Sequence, residues 1–124
     1  MPFRKIVSKE LSDLLKALAH PHRLQIVEEL GESELDVNTL QGTLGISHSN
    51  VSQHLAVLRA HRIVAERREG RFVYYRLKHP ELASWLLEAL KFLAEDQSSA
   101  DEIRRAINSA REVWALESVA LRKS

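Results

Sequence analysis

Between positions 47 and 54 the chain carries Ser47, His48, Ser49, Asn50, Ser52, Gln53 and His54, interrupted by Val51 and followed by Leu55 and Leu58. Carboxamides such as Asn50 and Gln53 can pair with an adenine edge through two hydrogen bonds, and the hydroxyls of Ser47, Ser49 and Ser52 can bond bases or phosphates. The apolar residues at 51, 55 and 58 recur at helical spacing, so they fix an inward face and leave the polar set on the opposite one. A little further on, Arg67, Arg68 and Arg71 surround Glu69-Gly70, a dipeptide suited to a hairpin turn. An arginine-rich hairpin tip can reach a neighbouring minor groove or its phosphates. Together these groups point to recognition of duplex DNA. Ser47, His48, Ser49, Asn50, Ser52, Gln53 and His54 are the expected reading set; Arg59, Arg67, Arg68, Arg71 and Lys78 are the expected wing and phosphate contacts. Catalysis is not expected, because the chain shows no nucleophile elbow, phosphate loop or paired-carboxylate pocket, and a serine–histidine contact without an orienting third group is not a triad.

The elements that position these groups follow from periodicity. Ser8 is suited to cap a helix over Lys9–Ala19, with Leu11, Leu14, Leu15 and Leu18 on one face. His20-Pro21 breaks it, and Pro21 fits the first turn of a second helix that runs to Leu30 and stops at Gly31. Glu32 to Val37 reads as a loop, after which Asp36 or Asn38 caps a short third helix ending at Leu44, with Gly45 placed for a left-handed turn. Ser47 or Ser49 caps the fourth helix. Beyond Ala60 the period changes to that of two strands, and His79-Pro80 closes the second.

A fifth helix is expected over Glu81–Glu95. Its polar residues Ser84, Glu88, Lys91 and Glu95 form one narrow stripe, and the remainder is apolar. Such a helix must be covered on more than one side. The expected cover is a second copy of the chain, through Leu11, Leu14, Leu15, Leu18, Trp85, Leu86, Ala89, Leu90 and Leu93. Asp96 to Ser99 reads as a break, and Ser99 with Glu102 as a capping box for a sixth helix over Ala100–Leu121. The expected domains are therefore residues 1–97, for DNA binding and dimerisation, and a helical extension over 98–124.

Charge supports this division. The net charge is only +1, yet Arg59 to Lys78 holds seven cations against two anions, while Glu81 to Glu102 holds six anions against one cation. A basic stretch on a near-neutral molecule suggests a local polyanion-binding face. There is no cysteine. Disulfides, thiolate metal sites and thiol redox switches are thereby excluded. No apolar run or leader points to a membrane or to export, so a cytoplasmic location is expected.

The six histidines suggest no ready metal site. His20 and His22 flank Pro21, where His20 reads as a cap, and the six-residue spacing of His48 and His54 does not place them on one face of a helix. No metal and no cofactor is expected; a ligand set combining His20, His22 or His79 with carboxylates across a dimer is the alternative.

Three runs, LKALAHPHRLQIVEEL, SHSNVSQHLAVLRAHRIV and RREGRFVYYRL, resemble the ArsR/SmtB (arsenic-repressor) family of bacterial winged-helix transcription factors, with the likeness covering roughly residues 8–95. The resemblance implies a mainly α fold with a small β-hairpin wing, in the order α-α-α-α-β-β-α, to which the C-terminal helix is an addition. It also implies a homodimeric, sequence-specific operator-binding regulator, acting as a repressor and released by an inducer whose identity is open. The family's recognition helix falls on Ser47–Ala60, its serine-x-histidine-leucine element on Ser52, His54 and Leu55, and its wing on Val64–Arg76. The sequence departs from the family where signals are sensed. Many members begin the third helix with a Glu-Leu-Cys-Val-Cys-like run; here it reads Glu34, Leu35, Asp36, Val37, Asn38. The zinc ligands that other members carry on the last core helix are incomplete, since no histidine follows His79. Arg62 stands where a Gly is common, and Gln41-Gly42 where a tight helix crossing usually carries Ala. A winged-helix module for protein interaction is the alternative from another class, separable by salt-dependent duplex binding.

Overall fold

The computed structural model describes residues 2–31 and 33–96, together with 105 and 109. Among these, the order is α1 (Pro2–Leu18), α2 (Pro21–Glu29), β1 (Leu35–Asp36), α3 (Val37–Leu44), α4 (His48–Ala60), β2 (Val64–Glu69), β3 (Phe72–Leu77), α5 (Glu81–Ala89) and α6 (Lys91–Asp96). The chain divides into two compact units, Met1–Pro80 and Glu81–Ser124.

The first unit is a helical cluster with a three-stranded antiparallel sheet in the order β1-β3-β2. Its core is Ala17 and Leu18 of α1, Ile26 and Val27 of α2 with Leu30, Leu40 of α3, Val51, Leu55 and Leu58 of α4, then Ile63, Val64 and Leu77. Each large side chain of this kind contributes about 1.5–3 kcal/mol on burial. The core is wholly apolar: no polar or charged residue is buried among the described residues.

Local chemistry sets the helix ends. His20 caps α2, its Nδ1 accepting from the His22 backbone N–H at 3.1 Å, with Pro21 in the first turn. Asp36 caps α3 by accepting from the Thr39 N–H at 3.0 Å. Ser47 caps α4 by accepting from the Asn50 N–H at 3.1 Å. Gly45 ends α3 with a φ of 68°. The end of α4 is more unusual. His61 is its C-cap, Arg62 takes a φ of 58°, Ile63 N–H donates to the Leu58 carbonyl at 2.9 Å and Arg62 N–H to that of Arg59 at 3.0 Å. These are the two hydrogen bonds of a Schellman motif, with arginine in the left-handed position that usually belongs to glycine. The accompanying hydrophobic contact is available, since Leu58 and Ile63 are both buried.

Several boundaries differ from expectation. The first helix begins at Pro2, not Lys9, and Ser8 lies inside it rather than capping it. Phe3 to Val7 contain no breaker, and Pro2 is tolerated in the first turn, so nothing stops the helix at Ser8. The stretch read as a loop contains β1, whose Leu35 and Asp36 pair with Tyr75 and Tyr74; two residues are too few to show strand alternation. The helix expected over Glu81–Glu95 is two: α5 ends at Ala89 and α6 begins at Lys91. Around the junction, Leu90 N–H donates to the Leu87 carbonyl and Leu93 N–H to that of Leu90, both i to i−3 bonds that tighten the turn. Gly42 makes no close crossing, for a Cβ there would meet nothing within 4 Å. The 97/98 domain boundary and the capping box of Ser99 and Glu102 lie outside the described residues, as does most of the sixth helix, of which Arg105 and Ser109 are helical.

Candidate nucleic-acid interface

Helix α4 presents the polar set as two groups. Val51, Leu55 and Leu58 are buried, which anchors one side of the helix. On the other side Ser47, His48, Ser49, Asn50, Ser52 and Gln53 are all exposed, at the N-terminal end where major-groove helices make their base contacts. That end also carries the positive pole of the helix and its unpaired N–H groups, which favour a phosphate.

His54 departs from the others. It is half-buried and faces the scaffold: its ring centroid lies 4.4 Å from that of His20 and 5.6 Å from that of His22, and its Nδ1 is 3.4 Å from Arg23 Nη1. Arg23 also donates through Nε to the Ala17 carbonyl and through Nη2 to the Lys16 carbonyl at 3.3 Å. A guanidinium on the last carbonyls of α1 satisfies groups the helix leaves open and suits its negative pole. Burial first, then the nearby His20, Arg23 and His22, holds the His54 imidazole below its ordinary value and favours the neutral ring. The sequence pattern places His54 in the reading set and gives it no histidine partner on its own helix, since His48 lies on another face. The partners the structure gives it, His20, His22 and Arg23, lie more than thirty residues away at the start of α2, a long-range contact with no local signal.

The wing is a two-residue hairpin in which Glu69 pairs with Phe72 across Gly70 and Arg71. Gly70 takes a φ of 62° while Arg71 keeps an ordinary one, the pattern of a type II′ turn whose twist matches the flanking strands. The arginines differ sharply in how they are held. Arg67 Nε is 3.1 Å from both Glu34 carboxylate oxygens and its Nη1 is 2.8 Å from Glu69 Oε2, with the guanidinium 4.9 Å from the centre of the Tyr74 ring. These carboxylates raise the Arg67 value still further above its already high ordinary one, and Arg67 in turn holds the Glu34 carboxyl below the usual range. Arg59 Nη1 pairs with Glu66 Oε2 at 3.0 Å. Arg68, Arg71 and Lys78 are exposed, and none of the three forms an ion pair among the described residues.

The residues expected between two copies fall in both units. On α1, Phe3, Val7, Leu11 and Leu15 recur every four residues and are exposed, as is Ile6. Leu14 is half-buried, and Leu18 is spent on the core of its own chain, 3% exposed. Phe3, Ile6 and Val7 lie before the helix start that Ser8 suggests, and join this face because α1 begins at Pro2. In the second unit Trp85 and Leu93 are exposed and Leu86, Ala89 and Leu90 half-buried; Phe92 is also exposed. No helix among the described residues is long and apolar enough to cross a membrane.

Comparison with known proteins gives a consistent set of relatives. Residues 20–66 match the family model for bacterial regulatory proteins of the arsR family. The chain is 39% identical over 103 residues to an HTH-type transcriptional regulator of Mycobacterium tuberculosis, covering 80% of this chain and 90% of that one. Its structure is similar to reduced HlyU from Vibrio cholerae, with a TM-score of 0.65 and 38% identity over 73% of this chain and 97% of that one. It is similar also to the transcriptional repressor BigR from Xylella fastidiosa, with a TM-score of 0.63 and 37% identity over 74% and 93%.

Proposed function

The chain belongs to the arsR family of bacterial regulatory proteins, a DNA-binding transcriptional repressor of the ArsR/SmtB type and not an enzyme; on that footing we propose that it acts as a homodimer on an operator of two half-sites. The observation that carries the reading is the exposed polar N-terminal half of α4 above a buried apolar anchor. In this reading Asn50 and Gln53 make bidentate contacts to bases, and Ser47, His48, Ser49 and Ser52 bond bases or nearby phosphates. Arg68, Arg71 and Lys78 anchor the backbone; Arg59 and Arg67 join them only by exchanging carboxylate partners for phosphates.

Dimerisation is supported by the apolar face of α1. Phe3 is 70% exposed and Ile6 and Val7 each 63%, values out of keeping with a helix that faces water. A two-fold axis would place two copies of α4 about 34 Å apart, one helical turn of DNA. With no cysteine in the chain, the inducer cannot act through a thiolate.

The test is selection of bound duplexes from a randomised pool, followed by analytical ultracentrifugation of the complex. Enrichment of an inverted repeat with half-site centres one turn apart, bound by two chains, is the expected result. Salt-sensitive binding without any enriched sequence would overturn operator reading, and a single bound chain would overturn the dimer.

A further inference from the structure

His20, His22 and His54 come together at the point where α2 starts against α4. One potential ligand atom from each lies within 4.8 Å of the other two, and all three side chains are half-buried. The ring centroids are 4.4 Å apart for His20 and His54, 5.3 Å for His20 and His22, and 5.6 Å for His22 and His54. Packing and capping account for two of the three rings. His20 supplies the α2 cap, and His54 lies beside Arg23. The His22 ring nitrogens have no hydrogen-bond partner among the described residues, although the ring lies within 5.6 Å of both other imidazoles, centroid to centroid.

We propose that His20, His22 and His54 form a binding site for a borderline divalent transition-metal ion, zinc being the reference, with solvent completing the coordination. Imidazole nitrogen suits zinc, nickel, cobalt and copper alike, and three such ligands with an open fourth position is an accepted tetrahedral set. Zinc–nitrogen bonds of about 2.0–2.1 Å require ligand nitrogens about 3.3–3.4 Å apart in a tetrahedron, so the cluster must contract by roughly 1.5 Å at most. Rotation of three half-buried rings about their side-chain torsions supplies a movement of that size.

The ligation has a local consequence that does not depend on which nitrogen binds. A neutral imidazole has one free lone pair. In His20 that pair accepts the His22 N–H, and in His54 it faces Arg23 at Nδ1. Metal taken at either nitrogen withdraws the pair or places a proton on Nδ1, so loading exchanges the α2 cap and the His54–Arg23 contact for coordination. The positive charge of Arg23 opposes the ion, but Arg23 is also tied to the Ala17 and Lys16 carbonyls, which hold it on the α1 side. An ion here bridges the start of α2 to the middle of α4. Its influence on operator affinity rests on the DNA-reading proposal; the site itself does not.

The experiment uses the untagged, full-length chain stripped with a chelator. Zinc is titrated in competition with a chromophoric chelator, and cobalt is titrated for the visible d–d bands of a four-coordinate site. One zinc per chain is expected, with His22→Ala and His22→Gln each weakening binding at least tenfold while leaving the circular dichroism spectrum and Tm unchanged. His61→Ala, outside the cluster, should bind as the parent does. Absence of stoichiometric zinc binding would overturn the site, and so would full affinity in either His22 variant. Neither result bears on duplex binding, which is measured separately on the metal-free protein.

Discussion

Helix α4 and the wing lie next to each other in the chain, yet they handle polarity in opposite ways. The exposed side chains from the Ser47 cap to Gln53 of α4 are hydroxyls, carboxamides and one imidazole; they are aimed by a buried anchor of Val51, Leu55 and Leu58. The wing carries full charges, and part of that charge is already spent: Arg67 on Glu34 and Glu69, and Glu66 on Arg59 at the end of α4. A groove-reading surface needs fixed donors and acceptors, because a bidentate contact discriminates between bases only when its geometry is set in advance. A phosphate-anchoring surface needs charge and reach, and tolerates movement. On the proposed reading, the difference assigns specificity to the helix and affinity to the wing. It also distinguishes among the wing arginines by their partners in the free chain, which sequence alone does not do.

The sharpest way to break the contrast is to unseat the helix. Leu55 is 1% exposed, and Leu55→Ala should cost about 2–5 kcal/mol in chemical denaturation, taking specific and random binding down together. Gln53→Ala leaves the anchor intact and should lower operator binding alone, by about 1–3 kcal/mol, with random duplex unaffected. Equal losses on both duplexes would remove Gln53 from the reading set.

Smaller effects are expected at two joints that adjoin these regions. Asp36 both pairs with Tyr74 of the wing sheet and caps α3, and Thr39 holds its carboxyl below the ordinary range through hydrogen bonding. Asp36→Ala should cost about 1 kcal/mol at neutral pH. A depressed folded-state value stabilises above the ordinary carboxylate range and ceases to do so as pH falls through it. The difference in urea midpoint between parent and variant should therefore narrow in acid; a constant difference would mean that the carboxylate is not the source. At the other joint, Arg62→Gly relieves a left-handed arginine and should stabilise by about 1 kcal/mol or less, read as a rise in Tm. A fall in Tm would show that Arg62 contributes more through its side chain than it costs in backbone strain.

These joints are also where the sequence was least legible. Helix α4 and the hairpin are plain from local pattern: apolar residues at 51, 55 and 58, a cap at Ser47 and a turn at Gly70. The start of α1 was hidden because Ser8 is a good cap residue that the chain does not use as one. Strand β1 was hidden because its two residues are held by Tyr74 and Tyr75, forty positions away, and not by any alternation of their own. The Arg67–Glu34 pair and the three-histidine cluster depend equally on tertiary contact. Periodicity reports the surface of one element; it is silent on which side chain from another element comes to rest there. The strain at Arg62 was signalled in part, since the family commonly has Gly at that position.

The central claim, that the helix specifies while the open wing arginines anchor, is tested most directly by the salt dependence of duplex binding, measured by fluorescence anisotropy on selected operator and random DNA. For the Arg68→Ala/Arg71→Ala double variant the slope of log affinity against log salt should flatten by about two phosphate contacts per chain, and by the same amount on both duplexes. Arg67→Ala should flatten it less, because that guanidinium is neutralised within the free chain. An unchanged slope in the double variant, or a loss confined to the operator, would contradict the account.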